Sequence, residues 1–205
     1  AWGLNGALAA SGSNGANAIG ATVNVNVFDR EVKVRIGGEG QNQTVQLISK
    51  QDILAQACAK DVTIVVAVAA GVSSSNGAFT GTIPVVSSKS RIENTIGGNT
   101  KMKAAGNIAA AAHYDSKLYV AAGGLSVSAS GTAAGLAAST VIYLNFVQAV
   151  IGKGAELIAT AATANETELA SRRKFKGVYV GATARETVVM ATLGVSGGAQ
   201  NAAQG

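Results

Sequence analysis

The chain has 205 residues, 13% of them charged, about half the usual share, and a net charge of +5. Apolar residues reach 48%, mostly Ala and Val, while aromatics supply 4%, so any core is built from small side chains and suits a thin, regularly stacked interior. The 26 glycines lack the every-third-residue period of collagen, the single Cys58 excludes an internal disulfide, and no apolar run reaches the ~18 residues of a membrane span.

Residues 1 to 15, AWGLNGALAASGSNG, lack a basic start and a continuous apolar stretch, so a secretion signal is expected outside this segment. The small-residue run ASGSNGANAI then leads into GATVNVNVFDREVKVRIGG from Gly20. Within it VNVNVF and VKVRI alternate with period two, with β-branched residues on one face and Asn, Lys or Arg on the other. A second strand-like piece, TVQLISKQDI, follows. Ala enrichment makes helix a rival for ILAQACAK and NIAAAAHY, but neither carries clean caps or a sustained 3.6-residue period. TIVVAVAAGV and STVIYLNFV are more continuously apolar, as expected of strands covered on both sides.

The same succession then recurs. GTIPVVSSKSRIENTIGG starts at Gly81 and GLAASTVIYLNFVQAVIGKG at Gly135, and each closes on Ile-Gly, at Ile96 and Ile151, as the first does at Ile36. Small-residue runs precede each start, and KMKAAGNIAA and AELIATAATA follow the later two. The final LGVSGGAQNAAQG, residues 193 to 205, lies without a gap over LAASGSNGANAIG, residues 8 to 20. Units of roughly 8–68, 69–122 and 123–192 result, with 193–205 opening a fourth, all within one segment of a longer repetitive protein.

A unit of short strands cannot bury both faces alone, and stacking on its neighbours solves this, so the expectation is an all-β solenoid. Each unit of about 55–70 residues is expected to supply two or three coils spaced ~4.8 Å apart. Val, Ile and Ala should point inward in ladders, the Gly-rich runs should form corners, and Gly20, Gly81 and Gly135 should be equivalent corners. Pro84 lacks a backbone donor and predicts a local bulge.

The pattern of Val23, Asn24, Val25, Asn26 and Val27, then Ile36 and Gly37, then Ser49, Lys50, Asp52 and Ile53, resembles the repeats of large secreted bacterial surface proteins. These are the leukotoxin, autotransporter-adhesin and filamentous-haemagglutinin-like passengers, with weaker echoes in the second and third units. The resemblance implies a right-handed parallel β-helix in an exported, non-enzymatic shaft at the bacterial outer-membrane surface. Implied partners are adjacent repeats and a host or neighbouring cell surface; exposed terminal coils would invite end-to-end association. No cofactor and no specific nucleic-acid partner is expected.

Several stretches invite a sharper chemistry. GGEGQNQTV, residues 37 to 45, approximates the calcium nonapeptide, but Asn42 stands in the place of the ligating Asp and no tandem copy follows, so it reads as a corner. GVSGG matches G-x-S-x-G, making a triad of Ser196, His113 and Asp115 conceivable, yet Ser196 aligns with Ser11 of the repeat, so no catalytic set is expected. RRKFK offers Arg172, Arg173, Lys174 and Lys176 as the candidate site for an anionic ligand, with Arg185 further on and KSR (89–91) a weaker cluster. A glycan- or host-surface-binding adhesin module using RRKFK is therefore the alternative to a pure shaft. A carbohydrate-cleaving β-helix is disfavoured, because carboxylates and sugar-stacking aromatics are scarce. No metal-ligand spacing is found.

Overall fold

The computed structural model describes residues 2–38, 44–160, 165–199 and 201–204. Among them there is no helix, and most of the chain forms long parallel strands in stacked sheets. The first pass runs through β1 (Trp2–Ser13), β2 (Ala18–Ile36) and β3 (Val45–Ser49). The second uses β4 (Ile53–Ser73), β5 (Ala78–Ile96) and β6 (Thr100–Ala104). The third uses β7 (Ile108–Ser128), then β8 (Thr132–Ala137) with β9 (Thr140–Ile151), then β10 (Glu156–Ala159). A small antiparallel pair, β11 (Thr167–Glu168) and β12 (Lys174–Phe175), precedes β13 (Val178–Gly198) and β14 (Asn201–Gln204).

Like strands pair with like. One long sheet has the order β1-β4-β7-β13; a second has β14-β8-β5-β2, with β9 also on β5; a short third has β10-β6-β3. The registers run without slips: Trp2 faces Val62, a 60-residue step; Ile53 faces Ile108, a step of 55; Ile108 faces Val178, a step of 70. Each repeat therefore makes one wide circuit of three sheets, where two or three narrower coils were expected. The Ile-Gly landmarks stack, with Ile36 beside Ile96 and Ile96 beside Ile151. The terminal overlay also holds in space: Leu8, Val68, Gly123 and Leu193 form one row. Past the next corner the overlay slips by one, since Ala202, not Ala203, continues the row of Ala18, Ala78 and Ala133.

The two long sheets face each other, and the interior between them is wide at one end and narrow at the other. Beside the short sheet it holds Ile96, Met102 and Ile108, packed by Val34, Ile36, Leu47, Ile53, Ile151 and Leu157. Ile92 and Tyr114 come next, then Val65, Val86, Leu118 and Val120. Towards the Ser-Asn-Gly corners the inward residues become Gly, Ser, Thr and Ala. There Thr22 Oγ1 donates to the Val68 carbonyl at 3.2 Å, Thr82 Oγ1 to the Gly123 carbonyl at 2.8 Å, and Thr80 shares a hydrogen bond with Ser126 at 2.9 Å.

Gly20, Gly81 and Gly135 are not corners. All three lie inside strands, and Thr80 rather than Gly81 shares the row of Gly20 and Gly135. Gly20 and Gly135 are places where the sheets nearly touch: a Cβ on Gly20 would sit 3.0 Å from the Ala70 carbonyl oxygen, and one on Gly135 2.6 Å from that of Val195. The true corners follow Ser13, Ser73 and Ser128, which occupy one row. Each hydroxyl accepts the amide three residues on, from Ala16, Asn76 and Gly131, a local turn that suits Ser at the end of a strand.

The alternation in β2 also resolves differently from expectation. Even-numbered residues point inward along its whole length, so Asn24 and Asn26 are buried while Val23, Val25 and Val27 are exposed. The strand's apolar phase switches at Phe28: Val32, Val34 and Ile36 are even, Val23 to Val27 odd. An unbulged strand keeps one parity, and the larger even-numbered cluster at the wide end sets it. Asn5, Asn24 and Asn26 then satisfy one another by side-chain hydrogen bonds. Similarly, Val66, Val68 and Val72, and Ile142, Leu144 and Phe146, face outward and are exposed, so these runs are not covered on both sides. Pro84 causes no bulge, because the 60-residue step to β2 continues through it. Its missing donor falls at the gap between β8, which pairs up to Thr82, and β9, which resumes at Val85. The Ala-rich segments are strands too, within β4 and β7.

Candidate functional site

The step from β7 to β13 is longer than the one before it, and the extra chain makes the one antiparallel pair among the described strands. β11 and β12 lie against the outer face of β7. Leu169 and Phe175 bury themselves on Ala109 and Ala111, with Tyr179 alongside. Alanine at those outward positions leaves room for this roof, which is why the start of β7 is buried on both faces. Asn107 ties the roof down: its Nδ2 donates to the Asn165 carbonyl at 3.0 Å and to Thr167 Oγ1 at 2.7 Å, and its Oδ1 accepts from Gly177 N at 2.7 Å. Asp52 Oδ1 in turn accepts the Asn107 amide at 2.7 Å. On the other side, Ala170 N donates to Gln56 Oε1 at 2.9 Å. The turn between β11 and β12 closes through Arg172 N to the Leu169 carbonyl, with Arg172 at φ 62°.

Beside this roof lies an open cleft of about 510 Å³ on the outer face of the first long sheet. Its floor is built by register. Cys58 and His113 are neighbours across β4 and β7, while Lys60, Asp115 and Arg185 form one row across β4, β7 and β13. Lys117 lies beyond them, and Ala170, Ser171 and Arg172 form the edge of the roof. Lys60 Nζ stands 4.0 Å from Asp115 Oδ2. Asp115 is the single carboxylate among lining residues that carry four cationic side chains. His113 Nδ1 is buried and has no hydrogen-bond partner. Loss of solvation pushes the Cys58 thiol up from its ordinary pKa, which disfavours the thiolate.

The basic cluster read from the sequence is divided. Arg172 lines the cleft. Arg173 instead covers the Tyr179 ring, its guanidinium carbon 5.1 Å from the centroid. Lys174 and Lys176 flank buried Phe175 and are exposed. Lys60 and Lys117 carried no signal in the sequence, because only the 55- and 70-residue steps bring them beside Arg185. In the weaker KSR cluster, Arg91 is engaged by Glu93 at 2.7 Å and covers Phe146 at 5.4 Å.

The conceivable triad does not assemble. His113 and Asp115 do share the outward face, but Ser196 is buried and lies thirteen residues along β13 from Thr183, the partner of His113. At ~3.3 Å per residue that is roughly 40 Å away. Ser196 sits in the row of Ser11, Gly71 and Ser126, as repetition predicts. Asn42 of the calcium-like stretch lies outside the described residues. Among the described residues no group of three or more His, Cys, Asp or Glu could hold a metal ion.

No family model matches the chain, and the searches of characterised proteins and of solved structures gave no match either.

Proposed function

We propose that the chain is a segment of a right-handed parallel β-helix, and that it acts as a non-enzymatic shaft in a secreted or surface-exposed bacterial protein. The observation that supports this most is the constant register. Rows such as Ile36, Ile96 and Ile151 recur once per circuit, so adding repeats lengthens the stack without changing its cross-section. The resemblance of the Val-Asn and Ile-Gly pattern to bacterial surface passengers supplies the setting. A shaft spaces other modules and offers its outer faces to a cell surface or to neighbouring repeats.

Modularity gives the test. Deleting residues 53–107 removes one whole circuit and joins Asp52 to Ile108, which occupies the place of Ile53. The shortened chain should keep a sheet-only circular dichroism spectrum and unfold cooperatively. Deleting residues 53–80 removes part of a circuit and should leave it unfolded. A chain that tolerates both deletions, or neither, does not behave as a stack of equivalent circuits.

A further inference from the structure

We infer that the roofed cleft on the first long sheet is a binding site for a tetrahedral oxyanion, the sulfate or phosphate ester of a small saccharide. Four cationic side chains reach it from four separate segments: Lys60 on β4, Lys117 on β7, Arg185 on β13 and Arg172 on the roof turn. They converge although they are far apart in sequence, and Asp115, beside Lys60, is the one carboxylate among the lining residues. A cleft with such an excess of positive charge favours an anion. Arginine forks match the oxygens of a tetrahedral group, and such charge-assisted bonds are the strong ones.

The size and lining narrow the ligand. About 510 Å³ falls within the range of small-molecule sites. The lining residues include no Phe, Tyr or Trp, so a neutral sugar finds no broad ring to stack on, and recognition runs mainly through the charged ester. Ser171 supplies a hydroxyl for the polar remainder of the ligand. The roof that completes the cleft is the one irregular insertion among the described circuits, and a shaft alone does not require it. This inference stands apart from the shaft reading, because it needs only the local sheet and the roof.

Isothermal titration with inorganic sulfate, inorganic phosphate, a sulfated disaccharide and a phosphorylated disaccharide tests it. The unaltered chain should bind both inorganic anions, and the tighter of the two disaccharides identifies the ester. Arg172→Gln with Arg185→Gln, both at exposed positions, should weaken binding at least about tenfold. Lys174→Gln with Lys176→Gln, on the roof but outside the cleft, should leave affinity within about twofold. Circular dichroism on each variant separates loss of the ladder from loss of the ligand. Absence of binding by the folded unaltered chain overturns the inference. So does equal weakening by the two double variants, which would mean diffuse surface charge. So does preference for a single-stranded oligonucleotide over every small anion.

Discussion

The wide and narrow halves of the interior obey opposite rules. At the wide end the inward residues are mainly hydrophobic: Ile92, Ile96 and Met102 are fully or almost fully buried, with Asn94 between the two isoleucines donating to the Ala55 and Ala111 carbonyls, while Arg35, Lys101 and Lys103 face solvent. At the narrow end Thr22, Asn24, Thr80, Thr82 and Ser126 point in, while Val23, Val25, Phe79, Ile83 and Leu125 point out. Sheets packed through aliphatic side chains stand about 10 Å apart. Where they close to backbone contact at Gly20 and Gly135, no Val or Ile fits, and hydroxyls reach the carbonyls of the opposite sheet. Spacing between the sheets, rather than hydrophobicity alone, selects the inward residue.

Substitutions in the two halves should therefore behave differently. Ile92→Ala at the wide end opens a cavity in the aliphatic core and should cost about 2–5 kcal/mol, read as a lower urea midpoint. At the narrow end enlargement is the damaging change: Gly135→Ala should cost about 1–3 kcal/mol, because its Cβ meets two backbone oxygens. Gly81→Ala is the matched control. That residue is a strand glycine with nothing within 4 Å of its Cβ, and the change should be neutral or stabilise by about 0.4–1 kcal/mol. If both glycines responded alike, close approach would not be the cause. Smallest is the effect of Val23→Thr, Val25→Thr or Val27→Thr, each within about 0.5 kcal/mol, although buried valines would cost more. The triple change should also lower binding of a hydrophobic dye.

Much of the architecture is legible in the sequence, for reasons particular residues show. Ile36, Ile96 and Ile151 mark the circuit because an in-register stack repeats a residue at the same place. Leu8 and Leu193 share a row for the same reason. The Ser runs announce corners because a strand-end hydroxyl closes a local turn. The circuit's width is not legible, because period two reports burial of a face and not how far a strand runs before turning. Nor is the parity of β2, where two apolar phases compete and tertiary spacing decides. Arg172 stood out as part of a dense basic run. Arg185 stands out a little further along the chain, whereas Lys60 and Lys117 join them only through inter-strand register, which a local motif does not carry.

The central claim is that a repeat makes one circuit and returns in register, and a distance across the stack tests it most directly. Leu8 and Leu193 are exposed, so spin labels at Leu8→Cys and Leu193→Cys, in a Cys58→Ser background, should not disturb the interior. The residues lie three strand spacings apart, about 14 Å between backbones. Pulsed electron paramagnetic resonance should give one narrow distribution, below about 30 Å once the label arms are included. A broad distribution, or one centred far beyond that length, would contradict the stacked circuits.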